Sequence, residues 1–260
     1  MKQVTATVVS NSEVMPGVHL IWLESPQIAS VAQPGQFVMV RCGEDFEHPL
    51  RRPLSIHQLA DGSKLAFLIN VVGKGTHWLA QCQAGDDIDL LGPLGNGYSI
   101  HPQSHKLLLL AGGIGIAPLC FLAQEALRSE YSVALLHGGS TATHLYPKHL
   151  LPSGIELTVV TEDGTAGKKG MITDLLPDFV DWADQVFACG PTEMYRDMAR
   201  RKQKLKLEAK SVQISLEVRM GCGRGVCYGC TLKTREGLKQ VCQDGPVFNL
   251  DDILWDELNL

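Results

Sequence analysis

Four cysteines near the end of the chain carry the spacing of a metal-cluster site: Cys222-x4-Cys227-x2-Cys230-x11-Cys242. Each thiolate of such a set must reach one iron of a small, rigid cluster without straining its neighbours. A C-x4-C-x2-C run with a distant fourth cysteine meets that demand for a [2Fe–2S] cluster. Gly221, Gly223, Gly225 and Gly229 stand among the cysteines. They let the backbone come close and turn N–H groups toward sulfur. Zinc also takes four cysteines, but ordinarily as two C-x2-C pairs. Here Cys222 and Cys227 are set too widely for the second pair. Unligated thiols are a third reading. Cys42, Cys82 and Cys120 stand apart in apolar surroundings, where a cysteine serves as a small buried hydrophobe.

Three further stretches could hold phosphate. "LLLLAGGIGIAPL" puts Gly112, Gly113 and Gly115 where a buried strand turns into a helix. Such a turn aims N–H groups and the positive helix end at an anion. Pro118 stands where a third glycine would complete the dinucleotide fingerprint, so a plain tight turn is an equal reading. The next strand ends in "ALLHGGS", with no acidic residue and no arginine or lysine, which favours NAD over NADP. In "LRRPLSI", Arg51 and Arg52 lie close to Ser55, a pairing suited to an anionic oxygen or to a solvated basic turn. In "VVGKGTHWL", Gly73, Gly75 and Thr76 open a helix with free N–H groups, although Thr76 could serve only as its cap. No catalytic triad or paired carboxylate is present, so no catalytic residue is expected. The nine histidines are scattered, and His48, His57 and His77 lack ligand spacing. Structural or solvent-exposed roles are expected for them.

The elements that must position these residues divide the 260-residue chain into three parts. Residues 1–101 read as short strands, "QVTATVVS", "VHLIWLES", "QFVMVRC" and "KLAFLINVVG", punctuated by Pro, Gly and Asp. That texture predicts an antiparallel β-barrel or sandwich. Residues 102–208 alternate strand with helix, which predicts a parallel sheet in an α/β domain. Its helices are expected at "APLCFLAQEALRSE", "MITDLLPDFV" and "TEMYRDMARRKQKL". Residues 209–260 form a small cysteine-loop domain, making the fold class α+β and multi-domain. The apolar run 107–127 has the length of a membrane span, but its glycines and Pro118 make it strand, turn and helix. A net charge of −5 leaves no electrostatic footprint for nucleic acid. The first residues lack the basic and apolar regions of a secretory signal. Eight cysteines without an export signal suit reduced thiols or metal ligands in the cytoplasm.

Taken in order, "RPLS" (52–55), "GKGT" (73–76), "GPLGNGY" (92–98), "AGGIGIAPL" (111–119), "TEDGTAGKKGMITDLL" (161–176) and "ACGPTEM" (188–194) resemble the ferredoxin–NADP reductase family over nearly the whole chain. The final "SLEVRMGCGRGVCYGC…VCQDGPVF" resembles one branch of it, the iron–sulfur electron-transfer subunits of NAD-linked dihydroorotate dehydrogenases. The resemblance implies that Arg52 and Ser55 hold FAD, with Pro53 and Leu54 lining the flavin. Ile69, Asn70 and Val71 would run along it, and Gly75 and Thr76 would bind its pyrophosphate. The wider family has an aromatic where Leu54 stands, a departure that removes a stacking partner and is itself similar to this branch. Gly113, Gly115 and Pro118 would form the nicotinamide-nucleotide turn. Cys189 and Gly190 would lie where nicotinamide meets flavin, with simple burial of Cys189 as the alternative. It further implies an FMN-bearing catalytic subunit that oxidises dihydroorotate, two copies of each chain, and electron flow from that partner through [2Fe–2S] and FAD to NAD⁺. A reductase subunit serving a hydrogenase, a sulfide dehydrogenase or a ferredoxin system is the alternative. A flavin and iron–sulfur sensor and a zinc-stabilised binding module are more distant ones.

Overall fold

The computed structural model describes residues 1–43 and 49–258, and His48 lies outside them. The first unit holds seven strands: β1 (Lys2–Met15), β2 (Val18–Glu24), β3 (Phe37–Val40), β4 (Arg52–Ser55), β5 (Gln58–Ala60), β6 (Lys64–Asn70) and β7 (Asp87–Leu94). Helices α1 (Pro26–Ala29) and α2 (Lys74–Gln81) connect them. All neighbours pair antiparallel in the order β4-β3-β7-β1-β2-β6-β5, and the sheet curls until β4 approaches β6. This is the expected barrel in half-open form. β7 carries no unbroken apolar run because Asp87 and Asp89 face outward between buried Ile88 and Leu90. It is nonetheless the strand on which β1 and β3 both pair.

The second unit is a parallel sheet. Its strands are β8 (Lys106–Gly112), β9 (Ser132–Gly139), β10 (Glu156–Thr161), β11 (Lys168–Lys169) and β12 (Gln185–Cys189). Helices α3 (Ile116–Arg128), α4 (Leu176–Phe179) and α5 (Thr192–Arg200) accompany them. The apolar run 107–127 resolves into β8, a single tight turn and α3. No helix among the described residues is long and apolar enough to cross a membrane. The helix expected to reach residue 205 stops at Arg200, because the following turns carry Leu205 and Leu207 into the core.

The cysteine segment grows out of this same sheet. Strands β13 (Ser211–Ser215) and β16 (Val247–Asn249) extend it to the order β11-β10-β9-β8-β12-β13-β16, with only β16 antiparallel. Between them lie the hairpin of β14 (Thr231–Thr234) and β15 (Gly237–Gln240) and helix α6 (Val241–Asp244). One apolar cluster runs from Phe37, Met39 and Leu94 of the barrel through Leu108 and Leu110 to Cys230, Leu232 and Cys242. The three segments share a core.

Helix α3 joins the barrel to the sheet. Phe121 is buried in the barrel's cluster, and the Gln124 amide pairs with both N–H and C=O of Leu59 on edge strand β5. His57, fully buried, donates from Nδ1 to the Ala117 carbonyl at 2.9 Å and accepts the Tyr146 hydroxyl at Nε2, also at 2.9 Å. Because the carbonyl can only accept, Nδ1 carries a proton, and because burial disfavours the charged ring, Nε2 is left as the acceptor. Burial, opposed by the Ala117 bond, lowers its pKa to about 4. The unfolded value is about 6.5, so this contribution is complete above that pH and is lost as pH falls toward 4. The loss is on the order of 3 kcal/mol. Urea unfolding from pH 7 to 4.5 should therefore fall more steeply for the wild type than for His57→Gln, which keeps a donor and an acceptor without a charge. Equal slopes would assign the titration elsewhere, His137 being the other buried histidine with a lowered pKa.

Candidate functional site

The four cysteines of the loop come together in two pairs. Cys222 lies within hydrogen-bonding reach of Cys227, and Cys242 within reach of Cys230. Backbone N–H groups of Arg224, Val226 and Cys227 donate to Cys222 Sγ at 3.3, 3.3 and 3.4 Å, and Gly225 N–H donates to Cys242 Sγ at 3.1 Å. Burial raises the Cys222 thiol, but these N–H groups and Cys227 outweigh it and lower the pKa to about 6. Glycines make room around the sulfurs, since a Cβ at Gly221 would stand 3.3 Å from Cys227 Sγ. Among the described residues, no three His, Cys, Asp or Glu side chains converge as a single ion requires. Two thiols per pair, with N–H groups aimed at sulfur, fit a binuclear cluster with two thiolates on each iron.

The loop rests on the barrel. Gly223 is buried at φ +66°, and a Cβ there would fall 2.5 Å from Met39 Cγ. Met39 on β3 lies opposite Pro53 on β4. The cysteine loop therefore sits on the strand next to the one that carries "RPLS".

β4 is an edge strand, and Arg52, Pro53, Leu54 and Ser55 are all half-buried. The neighbouring arginine has a different role: Arg51 binds Asp89 through both guanidinium nitrogens at 2.9 and 2.8 Å. Arg52 instead lies against the start of α2, where a Cβ on Gly75 would come 2.9 Å from its Nε. The first-turn N–H groups of a helix have no intrahelical acceptor. Gly75 thus leaves a cation beside unpaired donors, a cradle for a phosphate group. Thr76 Oγ1 accepts the N–H groups of Val72 and Gly73 at 3.0 and 3.2 Å. Thr76 is therefore not the N-cap, which is Gly73; its hydroxyl reaches back from the first turn, and its backbone N–H is what remains for an anion. Ile69 is buried at the end of β6, Asn70 is exposed, Val71 is half-buried and the apolar Val72 is 79 % exposed. This makes an open apolar rim beside the cradle that suits the flavin ring of FAD.

The glycine turn lies at the C-terminal end of the parallel sheet, the end at which such sheets bind nucleotides. Gly113 takes φ +53° with open space around it, and Pro118 is buried in the first turn of α3, where its missing N–H has no consequence. Gly115 is a close approach: a Cβ there would lie 2.0 Å from the Cys189 carbonyl oxygen. Cys189 ends β12, beside β8, and Gly190 follows it. With the Tyr195 hydroxyl as a further neighbour, the half-buried Cys189 thiol lies 3.9 Å from the Ser215 carbonyl. Burial pushes its pKa up to about 12, leaving it a neutral thiol.

Sequence reasoning does not find Tyr195. Its hydroxyl donates to Ser215 O at 2.7 Å and accepts Gly190 N–H at 2.8 Å, pinning the glycine after Cys189 to β13. Only the pairing of β12 with β13 brings these groups together. A polar cavity of about 280 Å³, lined in part by Ser99, Gln213, Glu236, Lys239 and Asp244, contains none of the expected site residues.

A family model for the iron–sulfur cluster binding domain of dihydroorotate dehydrogenase B matches residues 217–254. The chain is 36% identical over 251 residues to a dihydroorotate dehydrogenase B (NAD(+)) electron transfer subunit from Desulforamulus reducens, covering 94% of this chain and 95% of that one. It is 38% identical over 229 residues to the subunit of that name from Caldanaerobacter subterraneus, covering 85% and 87%. Among solved structures, an NADH-dependent reduced ferredoxin-NADP oxidoreductase described for flavin-based electron bifurcation superposes with a TM-score of 0.86. It is 30% identical, over 97% of this chain and 91% of that one. A ferredoxin NADP⁺ reductase from Neisseria gonorrhoeae shares the fold, with a TM-score of 0.62 at 20% identity over 79% and 92%.

Proposed function

Because this chain belongs to the family of dihydroorotate dehydrogenase B (NAD(+)) electron transfer subunits, we propose a division of labour among its segments. Residues 1–101 hold FAD, residues 102–208 bind NAD⁺ or NADH, and residues 209–260 hold a [2Fe–2S] cluster while lending β13 and β16 to the nucleotide sheet. The chain is an oxidoreductase subunit that works with a catalytic partner. Dihydroorotate is oxidised in that partner, an FMN-containing chain, and two copies of each make the assembly. Eight cysteines with no disulfide among them accord with the cytoplasm, where thiols stay reduced or bind metal.

When bound, FAD exchanges electron pairs with nicotinamide as hydride and single electrons with an iron–sulfur cluster, so it stands between the two. The chain's own residues supply positions. Cys222 and Cys227 form one pair of iron ligands, Cys230 and Cys242 the other. Arg52 and the N–H groups of Gly75 and Thr76 hold the FAD pyrophosphate, and Pro53, Leu54, Ser55, Ile69, Asn70 and Val71 border the flavin. Gly113, Gly115 and Pro118 shape the nucleotide turn, with Cys189 and Gly190 at its nicotinamide end. The observation that carries this reading is the seating of Gly223 on Met39, the cross-strand partner of Pro53. It brings the thiol pairs and the flavin strand into one unit.

The test is the visible spectrum of anaerobically purified chain before and after NADH, with flavin and iron assayed. Flavin bands and an iron–sulfur shoulder, both bleached, are expected. A colourless chain that stays so after reconstitution would refute the reading and revive zinc. The likeness to the ferredoxin-linked oxidoreductase favours a second reading, a subunit of an NAD(P)H–ferredoxin system. Exchange with a dihydroorotate-oxidising subunit, but not with ferredoxin, would separate the two.

A further inference from the structure

Two buried histidines flank the glycine turn, and one tyrosine joins them. His137 on β9 pairs with Ala111 on β8, the residue just before the glycines, and its Nδ1 donates to the Ala111 carbonyl at 3.1 Å. On the other side of the turn, His57 Nδ1 donates to Ala117 O in the first turn of α3. Both rings direct their remaining nitrogen at Tyr146, on the segment that leaves β9. The Tyr146 N–H donates to His137 Nε2 at 2.9 Å, and the Tyr146 hydroxyl meets His57 Nε2 at the same distance. A backbone N–H can only donate, so His137 is neutral with its proton on Nδ1. Burial lowers its pKa and favours that form. All three side chains are buried, and the His57 and Tyr146 rings meet edge to face with centroids 5.3 Å apart.

The two halves of this chain of bonds tie different things. The His137 half stays within the parallel sheet and fixes the glycine turn to β9. The His57 half crosses to the barrel, because His57 stands two residues beyond Ser55 at the end of β4. The Gln124 bonds to Leu59 cross from the same helix about two turns further on. His57 therefore makes its link where α3 leaves the glycine turn. Hydride transfer needs reacting atoms about 3–3.5 Å apart, and a displacement near 1 Å costs about 100-fold.

We propose that Tyr146 is a positioning residue for hydride transfer: acting through His57, its hydroxyl sets the spacing between the glycine turn and the flavin strand. The proposal rests on the flavin and nucleotide readings of those two segments. It separates geometry from affinity, since the turn keeps its own shape through His137 and Gly115 when the hydroxyl is removed.

The test is Tyr146→Phe in the full chain with its cofactors loaded. The ring and the backbone N–H remain, and His57 Nε2 becomes a buried acceptor without its donor, which the ring must shift to relieve. A shift of about half an ångström should slow FAD reduction at saturating NADH about tenfold in stopped flow. Calorimetric binding of ADP-ribose, which carries no nicotinamide, should change less than about twofold. Amide exchange in the first turn of α3 should quicken, a readout that needs no electron transfer. In a His57→Leu background, where the hydroxyl has no ring to act through, Tyr146→Phe should slow reduction no further. Reduction at the wild-type rate in Tyr146→Phe, or an equal further slowing on top of His57→Leu, would overturn the proposal. So would a loss of ADP-ribose affinity that matches the loss of rate. Failure of the nucleotide reading would show in the wild type instead, as a chain that binds no ADP-ribose, and would remove this proposal with it.

Discussion

Replacing Cys227 with alanine should leave a folded chain that still binds FAD and is still bleached by NADH in its flavin bands. The variant should lose its iron and slow electron exchange with the partner subunit by at least about 100-fold. That is the upper end of what removing even an outer-shell partner of a metal site does. Cys227 is the informative position because it is exposed, whereas Cys230 and Cys242 are 5 % and 1 % exposed within the shared core. Truncating either buried thiol removes packing together with a ligand, and the two losses would mix. Iron per chain, flavin per chain and stopped-flow reduction by NADH separate the outcomes. If Cys227→Ala keeps its iron and full coupling, the cluster is not held by this set of thiols.

Gly115→Ala should produce the complementary defect. A Cβ at Gly115 would lie 2.0 Å from the Cys189 oxygen, 2.4 Å from its carbonyl carbon and 2.8 Å from Gly190 N. All three are backbone atoms, so no rotamer relieves the clash, and the C-terminal ends of β8 and β12 must separate. Overpacking of this kind costs about 1–3 kcal/mol. A displacement near 1 Å at a reacting centre slows a reaction about 100-fold. Reduction of FAD by NADH should fall by about that factor while the iron content of the cysteine loop, which Gly115 does not touch, is retained. Gly113→Ala is the contrast. Its φ of +53° imposes a local penalty of about 1–2 kcal/mol, but open space surrounds it. NADH reduction at the wild-type rate in Gly115→Ala would take the nucleotide away from this turn.

The local features were legible because they depend on neighbours in sequence. Cysteine spacing, a glycine turn after a run of buried leucines, and strand–helix alternation through residues 102–208 are all short-range patterns. Other features were hidden by their own composition. Strand β7 is interrupted by outward-facing Asp87 and Asp89, and the helix after Pro191 ends where Leu205 and Leu207 gain more by turning inward. Arg51 and Arg52 look equivalent as neighbours in sequence. The pleat sends one to Asp89 and the other to Gly75.

By itself the sequence determined four thiols at iron–sulfur spacing, together with the two classes of unit that precede them. Ligand identity and binary pattern are properties of a single stretch of chain. The tertiary structure alone decided that Met39 lies beneath Gly223, that Tyr195 pins Gly190, and that Tyr146 joins His57 to His137. Those contacts join residues distant in sequence, or residues like Tyr195 and Gly190 whose common partner is distant. They form only where strand order and register place them. Neither can be read from any one segment, because hydrogen-bonded pairing between strands depends on both partners.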